Sequence, residues 1–158
     1  MSKIILTQGI QGSGKTTWAK AWVAEDPEHR IRINNDDITS MWGQPFGTSG
    51  LYERLKYFRQ LMICRAMSEN LDIVIDNMNL SNSSLKEVKE IVEEYNLPDL
   101  NLETLKMEPS LHDYVIEYKD FTKVPLEVCI ERDSHRENPI GKDIIISTYN
   151  KYIGNENK

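Results

Sequence analysis

The sequence predicts an α/β fold of three layers, in which helices cover both faces of a central parallel sheet. Short continuous apolar runs alternate along the chain with longer stretches of helical period, and the links between them are short. This alternation favours parallel strands connected by helices. The chain has 158 residues, which is enough for one well-buried core, so we expect a single domain over residues 1–158.

Four stretches predict the strands of this sheet. The first, KIILT at residues 3–7, is a continuous apolar run that ends near Gly9, as is typical of a strand covered on both faces. The others are RIRIN, LDIVID and YVIEYKDF, at residues 30–34, 71–76 and 114–121. We expect the first two strands along the chain to be neighbours in the sheet.

Helical patterns lie between and after the strands. One helix is expected to begin at Gly14 and Lys15 and to extend to about Glu25. Further predicted helices cover residues 51–67, 81–96, 124–136 and 140–153. The glycine-rich range 41–50 predicts a mobile connector. Residues 97–112 fit either an edge strand or a short helix, and we leave them unassigned as a candidate insertion.

Composition limits the classes of partner and location. The net charge of −6 argues against broad electrostatic binding to duplex nucleic acid, although a local basic groove stays open. No apolar run approaches the ~20 residues that cross a bilayer, and the N-terminus lacks a signal-peptide core, so we expect no membrane partner and a cytoplasmic location. Cys64 and Cys129 show no metal-ligand spacing and are expected to be buried, reduced thiols.

The loop after the first strand carries the strongest functional signal. GIQGSGKT, at residues 9–16, matches G-x-x-x-x-G-K-[ST] and lies between a predicted strand and a predicted helix, as a P-loop requires. Its backbone N–H groups and the helix N-terminus attract phosphate oxygens, Lys15 reaches the β- and γ-phosphates, and Thr16 can hold Mg²⁺. The predicted site for a nucleotide triphosphate comprises Gly9, Gln11, Gly12, Ser13, Gly14, Lys15, Thr16 and Thr17.

Acidic residues follow two of the predicted strands. Asp36 and Asp37 come after the second strand, where ligands bind in open α/β sheets. We expect Asp36 to act as a general base toward an attacking hydroxyl, and Asp37 to cap a helix that starts at Ile38. Asp76 ends the third strand and is expected to orient Mg²⁺ or its water shell. The alternative for Asp76 and the asparagines that follow it is a simple turn.

Two groups of basic residues have both a functional and an ordinary interpretation. Arg132 and Arg136 are four residues apart at the end of a predicted helix and can close over a triphosphate as a lid at about residues 132–142, or form a solvated face. The helix at residues 51–67 interleaves basic and aromatic residues, which suits base stacking but is more typical of an ordinary amphipathic helix. These residues are Arg54, Lys56, Arg59 and Arg65, with Tyr52, Tyr57 and Phe58.

The segments KIILTQGIQGSGKTTWAK, RINNDD, IVIDNMNL and CIERDSHRENPIGKDII together resemble the phage-type polynucleotide 5′-kinase family. The resemblance covers nearly all of the chain. It implies a P-loop kinase fold like that of adenylate kinases, ATP and Mg²⁺ as cofactors, and transfer of the γ-phosphate to the 5′-hydroxyl of DNA or RNA.

The resemblance also assigns roles to single residues. It implies that Lys15 and Thr16 bind phosphate and metal, that Asp36 is the catalytic base, and that Arg136 is the catalytic lid arginine. Arg132 lies near Arg136 and is assigned to nucleotide binding. The chain departs from the family at two positions: Met78 replaces a threonine, and Thr39 stands where the prototype has an arginine that grips the acceptor's phosphate.

Other functions share the same donor site. The acceptor could instead be a hydroxymethylated base in DNA, or a nucleoside or small metabolite, which the acidic composition favours mildly. A nucleotide-binding switch without turnover would use the P-loop and need no base. Neither the oligomeric state nor the preference between DNA and RNA follows from the sequence.

Overall fold

The structure, a computed structural model, describes residues 2–43, 50–101, 106–108 and 113–154. Strands and helices alternate along the chain, as predicted. The strands are β1 Ser2–Gln8, β2 Arg30–Ile33, β3 Asp72–Ile75, β4 Asp99–Asn101, β5 Lys106–Glu108 and β6 Tyr114–Asp120. The helices are α1 Lys15–Ala24, α2 Asn35–Ser40, α3 Leu51–Ser68, α4 Asn82–Tyr95, α5 Leu126–Ser134 and α6 Lys142–Tyr152.

The central sheet has four parallel strands in the order β2-β3-β1-β6. The expectation that β1 and β2 are neighbours is wrong, because β3 lies between them. The exchange has a physical reason. Three of the four residues of β3 are buried, whereas β2 carries Arg30 and Arg32 and has only Ile33 buried, which suits a strand at the edge.

Apolar side chains on the two faces of the sheet form separate cores, so the three-layer α/β prediction is confirmed. On one face, Ile4, Leu6, Ile73 and Ile75 pack against buried residues of α3 and α4. On the other face, Ile5 and Val74 pack against Ala19 and Trp22 of α1. A third cluster joins the P-loop to the last two helices through Ile10, Cys129 and Ile145.

One of the two expectations about cysteine burial is wrong. Cys129 is buried as predicted, but Cys64 is exposed, because the buried side of α3 runs through Leu55, Arg59, Ile63, Ala66 and Met67 instead.

Two predicted ranges, 97–112 and 41–50, lie partly outside the residues that the structure describes. Strands β4 and β5 form a separate antiparallel pair within the unassigned range 97–112, whose other residues lie partly outside the described part of the chain. Most of the predicted connector, residues 44–49, also lies outside it. Within the described residues, we find no helix whose length and apolar content would let it span a bilayer.

Candidate active site

The P-loop connects the end of β1 to the start of α1 at the carboxyl edge of the sheet. Gly12 and Gly14 adopt the left-handed φ values 77° and 100°, which favour glycine. Gly14 is the N-cap of α1, and a glycine has no side chain that could accept a hydrogen bond from the first backbone N–H groups of the helix. A loop of this form presents N–H donors to an anion.

Lys15 lies inside the P-loop and is only 8% exposed. Its Nζ donates to the carbonyl oxygen of Ile10 at 2.7 Å and to Oγ of Ser13 at 3.4 Å. Burial lowers the pKa of Lys15 to about 8, and Asp76 provides the largest opposing charge. A triphosphate would supply the negative charge that this buried ammonium lacks.

Asp36 lies in the first turn of α2, directly beyond the end of β2. Desolvation, followed by the like charges of Asp37 and Asp76, raises the pKa of Asp36, although the residue as a whole is exposed. Arg136 opposes this increase and also influences the pKa of Lys15. The charges of Asp36, Asp76 and Arg136 therefore all act on Lys15 at this edge of the sheet.

The prediction that Asp37 caps a helix starting at Ile38 is wrong. Helix α2 begins at Asn35, and Asn34 is its N-cap, with Oδ1 accepting the backbone N–H of Asp37 at 3.1 Å. The Asp37 carboxylate instead forms an ion pair with Arg32. Residues 34–37 are two asparagines followed by two aspartates. Because asparagine and aspartate cap helices equally well, the sequence alone does not show which of the four is the N-cap.

Arg32, to which the sequence assigned no role, connects Asp37 with Asp76. Its Nε donates to Oδ2 of Asp76 at 2.7 Å, and its Nη1 donates to Asp37. Asp76 is almost fully buried, and its other oxygen, Oδ1, has no hydrogen-bond partner among the described residues. Unpaired buried carboxylate oxygens are rare and suit a hard cation.

Arg59 is another residue whose position was not expected. It is buried, its Nη1 donates to Oδ1 of Asn35 at 3.1 Å, and its Nη2 pairs with Glu87. Asn77 donates to the same oxygen of Asn35 at 3.2 Å and accepts the Asn35 backbone N–H at 3.0 Å. Arg59 is therefore part of a polar network beside Asp36, not of a solvated helix face.

This network lines a cleft of about 130 Å³. The cleft lies between the start of α2, the N-terminus of α4 and the end of α6; its lining residues include Asn35, Arg59, Asn77, Ser81, Ser84 and Tyr152. Thr39 is buried and does not line this cleft. Its hydroxyl lies within hydrogen-bond distance of the carbonyl oxygens of Asn35 and Asp36, at 2.8 and 3.1 Å.

The two predicted lid arginines take different positions. Arg132 is in the last turn of α5, and its Nη1 donates to the carbonyl oxygen of Ser13 in the P-loop at 3.3 Å. Arg136 lies beyond the end of α5 at Ser134, so the two do not share a helix face as expected. Its Nη1 lies 3.6 Å from Oδ1 of Asp133. Both arginines are exposed and lie on the P-loop side of the edge.

The other predicted residues belong to the same loop and helix start. Gly9 is buried and donates its backbone N–H to the carbonyl oxygen of Met78 at 3.2 Å, which joins the P-loop to the segment after β3. Gln11 has a buried Oε1 without a hydrogen-bond partner among the described residues. Thr16 is half-buried, and Thr17 is exposed.

Solved structures with this fold include P-loop kinases. A chain of the Pnkp1/Rnl/Hen1 RNA repair complex gives a TM-score of 0.68 at 22% identity, over 99% of this chain and 46% of that chain. A gluconokinase from Sinorhizobium meliloti 1021 gives 0.52 at 15% identity, over 94% of this chain and 73% of that one. The Mycobacterium tuberculosis APS kinase CysC in complex with AMPPNP and APS gives 0.55 at 12% identity, over 85% and 69%.

These likenesses show the fold, and this chain spans less than half the length of the chain that it matches in the RNA repair complex. The predicted P-loop kinase fold is thus confirmed. A family profile described as "AAA domain" matches residues 4–148, which include the P-loop, Asp36, Asp76 and both lid arginines. The chain therefore belongs to the AAA domain family and has a nucleotide-binding P-loop kinase fold.

Proposed function

We propose that the protein is an ATP- and Mg²⁺-dependent phosphotransferase that moves the γ-phosphate to the 5′-hydroxyl of a DNA or RNA acceptor. One observation carries the proposal. The carboxylate of Asp36 lies at the same edge of the sheet as the ammonium of Lys15, and its charge raises the pKa of Lys15. Asp76 and Arg136 act on the pKa of both groups. A base and a phosphate-binding cation in this relation are what phosphoryl transfer requires.

Asp36 would accept the proton of the attacking hydroxyl. Its raised pKa makes it a better proton acceptor than an ordinary aspartate. The backbone N–H groups of the P-loop and Lys15 would hold the triphosphate, and Arg132 and Arg136 would approach it from the lid. Most of the rate gain would come from positioning and from neutralising charge on the transferred group.

The residues present fit a magnesium ion. Asp76 offers a buried carboxylate oxygen that has no partner among the described residues, and its charge raises the pKa of Lys15. Thr16 follows Lys15 at the start of α1. We propose Thr16 and Asp76 as the residues that hold the ion or its water shell. Mg²⁺ would supply neutralisation of the β- and γ-phosphates.

The polar cleft beside Asp36 is our candidate for the acceptor side. It begins at Asn35 and Asn77, which are adjacent in sequence to Asp36 and Asp76. The likeness of this chain's fold to a chain of an RNA repair complex supports a nucleic-acid acceptor. The strip of amide and hydroxyl groups in the cleft can hydrogen-bond to a sugar or a base.

A small-metabolite or nucleoside kinase is the second candidate. Two observations favour it: the arginine in the cleft is already paired with Glu87, and Thr39 directs its hydroxyl into its own helix. Among the described residues that line the cleft, Arg59 is the only cation and it is already paired, so these residues would bind a backbone phosphate weakly. The gluconokinase and APS kinase likenesses are compatible with such acceptors.

A panel of acceptors tests the proposal. The protein is incubated with Mg²⁺ and ATP labelled at the γ-phosphate, together with 5′-hydroxyl DNA and RNA oligonucleotides, DNA with hydroxymethylated bases, or free nucleosides. We expect label on the 5′ end of an oligonucleotide and none on an oligonucleotide that already carries a 5′-phosphate. Label on nucleosides alone would replace the proposed acceptor by the second candidate.

A further inference from the structure

Arg32 is the residue that joins the two neighbouring strand ends of the candidate site. It lies on β2, and its partner Asp76 follows β3, the next strand in the sheet. The Arg32 side chain is 13% exposed and the Asp76 side chain 0%. Because Asp76 is a fully buried carboxylate, its charge needs compensation, and Arg32 is the cation that forms an ion pair with it among the described residues.

The contact also restricts how the carboxylate is oriented. Nε of Arg32 donates to Oδ2 at 2.7 Å, while Nη1 of the same guanidinium donates to Asp37 at the start of α2. A guanidinium is planar and its donors have a fixed geometry, so binding two carboxylates at once holds Asp76 in one rotation. In that rotation Oδ1 is the oxygen that is left without a partner among the described residues.

We propose that Arg32 is a positioning residue for the metal site: by engaging Oδ2 of Asp76, it keeps Oδ1 available to the divalent cation that accompanies the nucleotide. The inference rests on the proposed Mg²⁺-nucleotide function. It assigns to Arg32 no contact with the substrate. Its effect is on the cation, through Asp76, and outer partners of metal ligands commonly change metal affinity by about 10–100-fold when removed.

A purely structural role makes a different prediction. If Arg32 only compensated the buried charge of Asp76, its removal would lower the free energy of unfolding and leave the effect of metal on nucleotide affinity unchanged. Arg30 offers a matched control, since it lies two residues earlier on β2 and pairs with Glu25 and the Trp22 ring, away from Asp76. Arg30→Gln removes the same type of side chain from the same strand.

The test measures the dissociation constant of AMPPNP by calorimetry, in EDTA and at saturating Mn²⁺, for the native protein and for the variants Arg32→Gln, Arg32→Lys and Arg30→Gln. We expect the same affinity in EDTA for all four proteins. The tightening by Mn²⁺ should fall about tenfold or more in Arg32→Gln. It should be intermediate in Arg32→Lys, which keeps the charge but not the fork, and native in Arg30→Gln.

The outcomes separate this inference from the proposed function. Native tightening by Mn²⁺ in Arg32→Gln would overturn the positioning role and leave the proposed function intact. No tightening by Mn²⁺ in the native protein would overturn the metal site of the proposed function, and the role of Arg32 with it. Should Arg32→Gln not fold, as judged by circular dichroism, Arg32→Lys decides, and native tightening there would overturn the inference.

Discussion

A β-carbon on Gly12 would lie 2.2 Å from the carbonyl oxygen of Cys129, because the middle of the P-loop packs directly against helix α5. The same helix carries Arg132, whose guanidinium donates to the P-loop at Ser13. The P-loop and Arg132 are therefore parts of one packed unit. We expect the position of Arg132 beside the P-loop to depend on the absence of a side chain at residue 12.

Replacing Gly12 by alanine should consequently disrupt nucleotide binding. The new methyl group would meet backbone atoms, which cannot rotate away, and the left-handed φ of 77° adds strain. Gly43→Ala is the matched control, since Gly43 also has a left-handed φ, 61°, but nothing lies within 4 Å of its added β-carbon.

We expect Gly43→Ala to lower the free energy of unfolding by about 1–2 kcal/mol and to keep nucleotide affinity. Gly12→Ala should lower it further and weaken AMPPNP binding at least tenfold. Urea titrations and calorimetry measure both quantities. Equal behaviour of the two variants would mean that the contact with Cys129 is not what requires glycine at position 12.

The depressed pKa of Lys15 predicts that nucleotide binding takes up a proton. In the free protein the pKa is about 8, so just above that pH much of Lys15 is neutral. A bound triphosphate favours the ammonium and raises its pKa, so the complex regains the proton, and affinity should decrease as pH rises above about 8. Calorimetry in two buffers of different ionisation enthalpy measures the proton count.

Lys15→Arg should remove this uptake, because a guanidinium stays charged throughout the range. Lys20→Gln, on an exposed position of the same helix, should leave it unchanged. A native protein that binds nucleotide without proton uptake just above pH 8 would show that Lys15 is already charged there.

The same pKa shift affects the free energy of unfolding. The unfolded lysine holds its proton to higher pH than the folded one, so this contribution to stability increases from about pH 8 upward.

The pKa of Asp36 predicts the acid limb of the pH–rate profile. Burial and the like charges of Asp37 and Asp76 raise that pKa, so activity should be lost, as pH falls, earlier than for an ordinary aspartate. Asp37→Asn removes one of the like charges and frees Arg32, so the acid limb should move to lower pH. Glu28→Gln, at the opposite end of β2, should not move it. A limb that stays in place in Asp37→Asn would argue that Asp36 is not the titrating base.

The contacts of Asp133 indicate how the proposed lid, residues 132–142, is held against helix α5. It is 2% exposed, and its Oδ2 and Oδ1 accept the backbone N–H groups of Gly141 at 2.9 Å and Ile140 at 3.3 Å. Asp133→Ala leaves these donors unpaired and releases Arg136. We expect a loss of about 1–3 kcal/mol in the free energy of unfolding and a larger decrease in kcat than in ATP affinity. Ser134→Ala is the control and should cost less than about 0.5 kcal/mol; matching losses in the two variants would contradict the role of Asp133.

Local patterns predicted most elements of this fold, because strands and helices here have clear periods and the P-loop motif marks the junction of β1 and α1. The order of the strands did not follow from them. It depends on which strand can be buried on both faces: RIRI alternates charged and apolar residues, whereas DIVI has three consecutive apolar residues after Asp72. That comparison would have placed β2 at the edge.

The site was predictable where residues follow strands and not where they come from inside other elements. Asp36 and Asp76 could be expected to meet because parallel strands bring their carboxyl ends to one edge. Arg32 is 44 residues from Asp76, and Arg59 is 24 residues from Asn35, so neither contact leaves a trace in local sequence. A polar residue on an edge strand or a helix is ordinarily solvated, and only the folded chain gives Arg32 a buried partner in Asp76 and Arg59 partly buried partners in Asn35 and Glu87.

The proposed role of Asp36 is tested most directly by phosphate transfer in Asp36→Asn. The variant removes the carboxylate and keeps the shape of the side chain. We predict that its transfer of the γ-phosphate to a 5′-hydroxyl oligonucleotide falls about 10²–10⁴-fold while its dissociation constant for AMPPNP stays within about twofold of the native value. Transfer at the native rate by a folded Asp36→Asn protein would contradict the account.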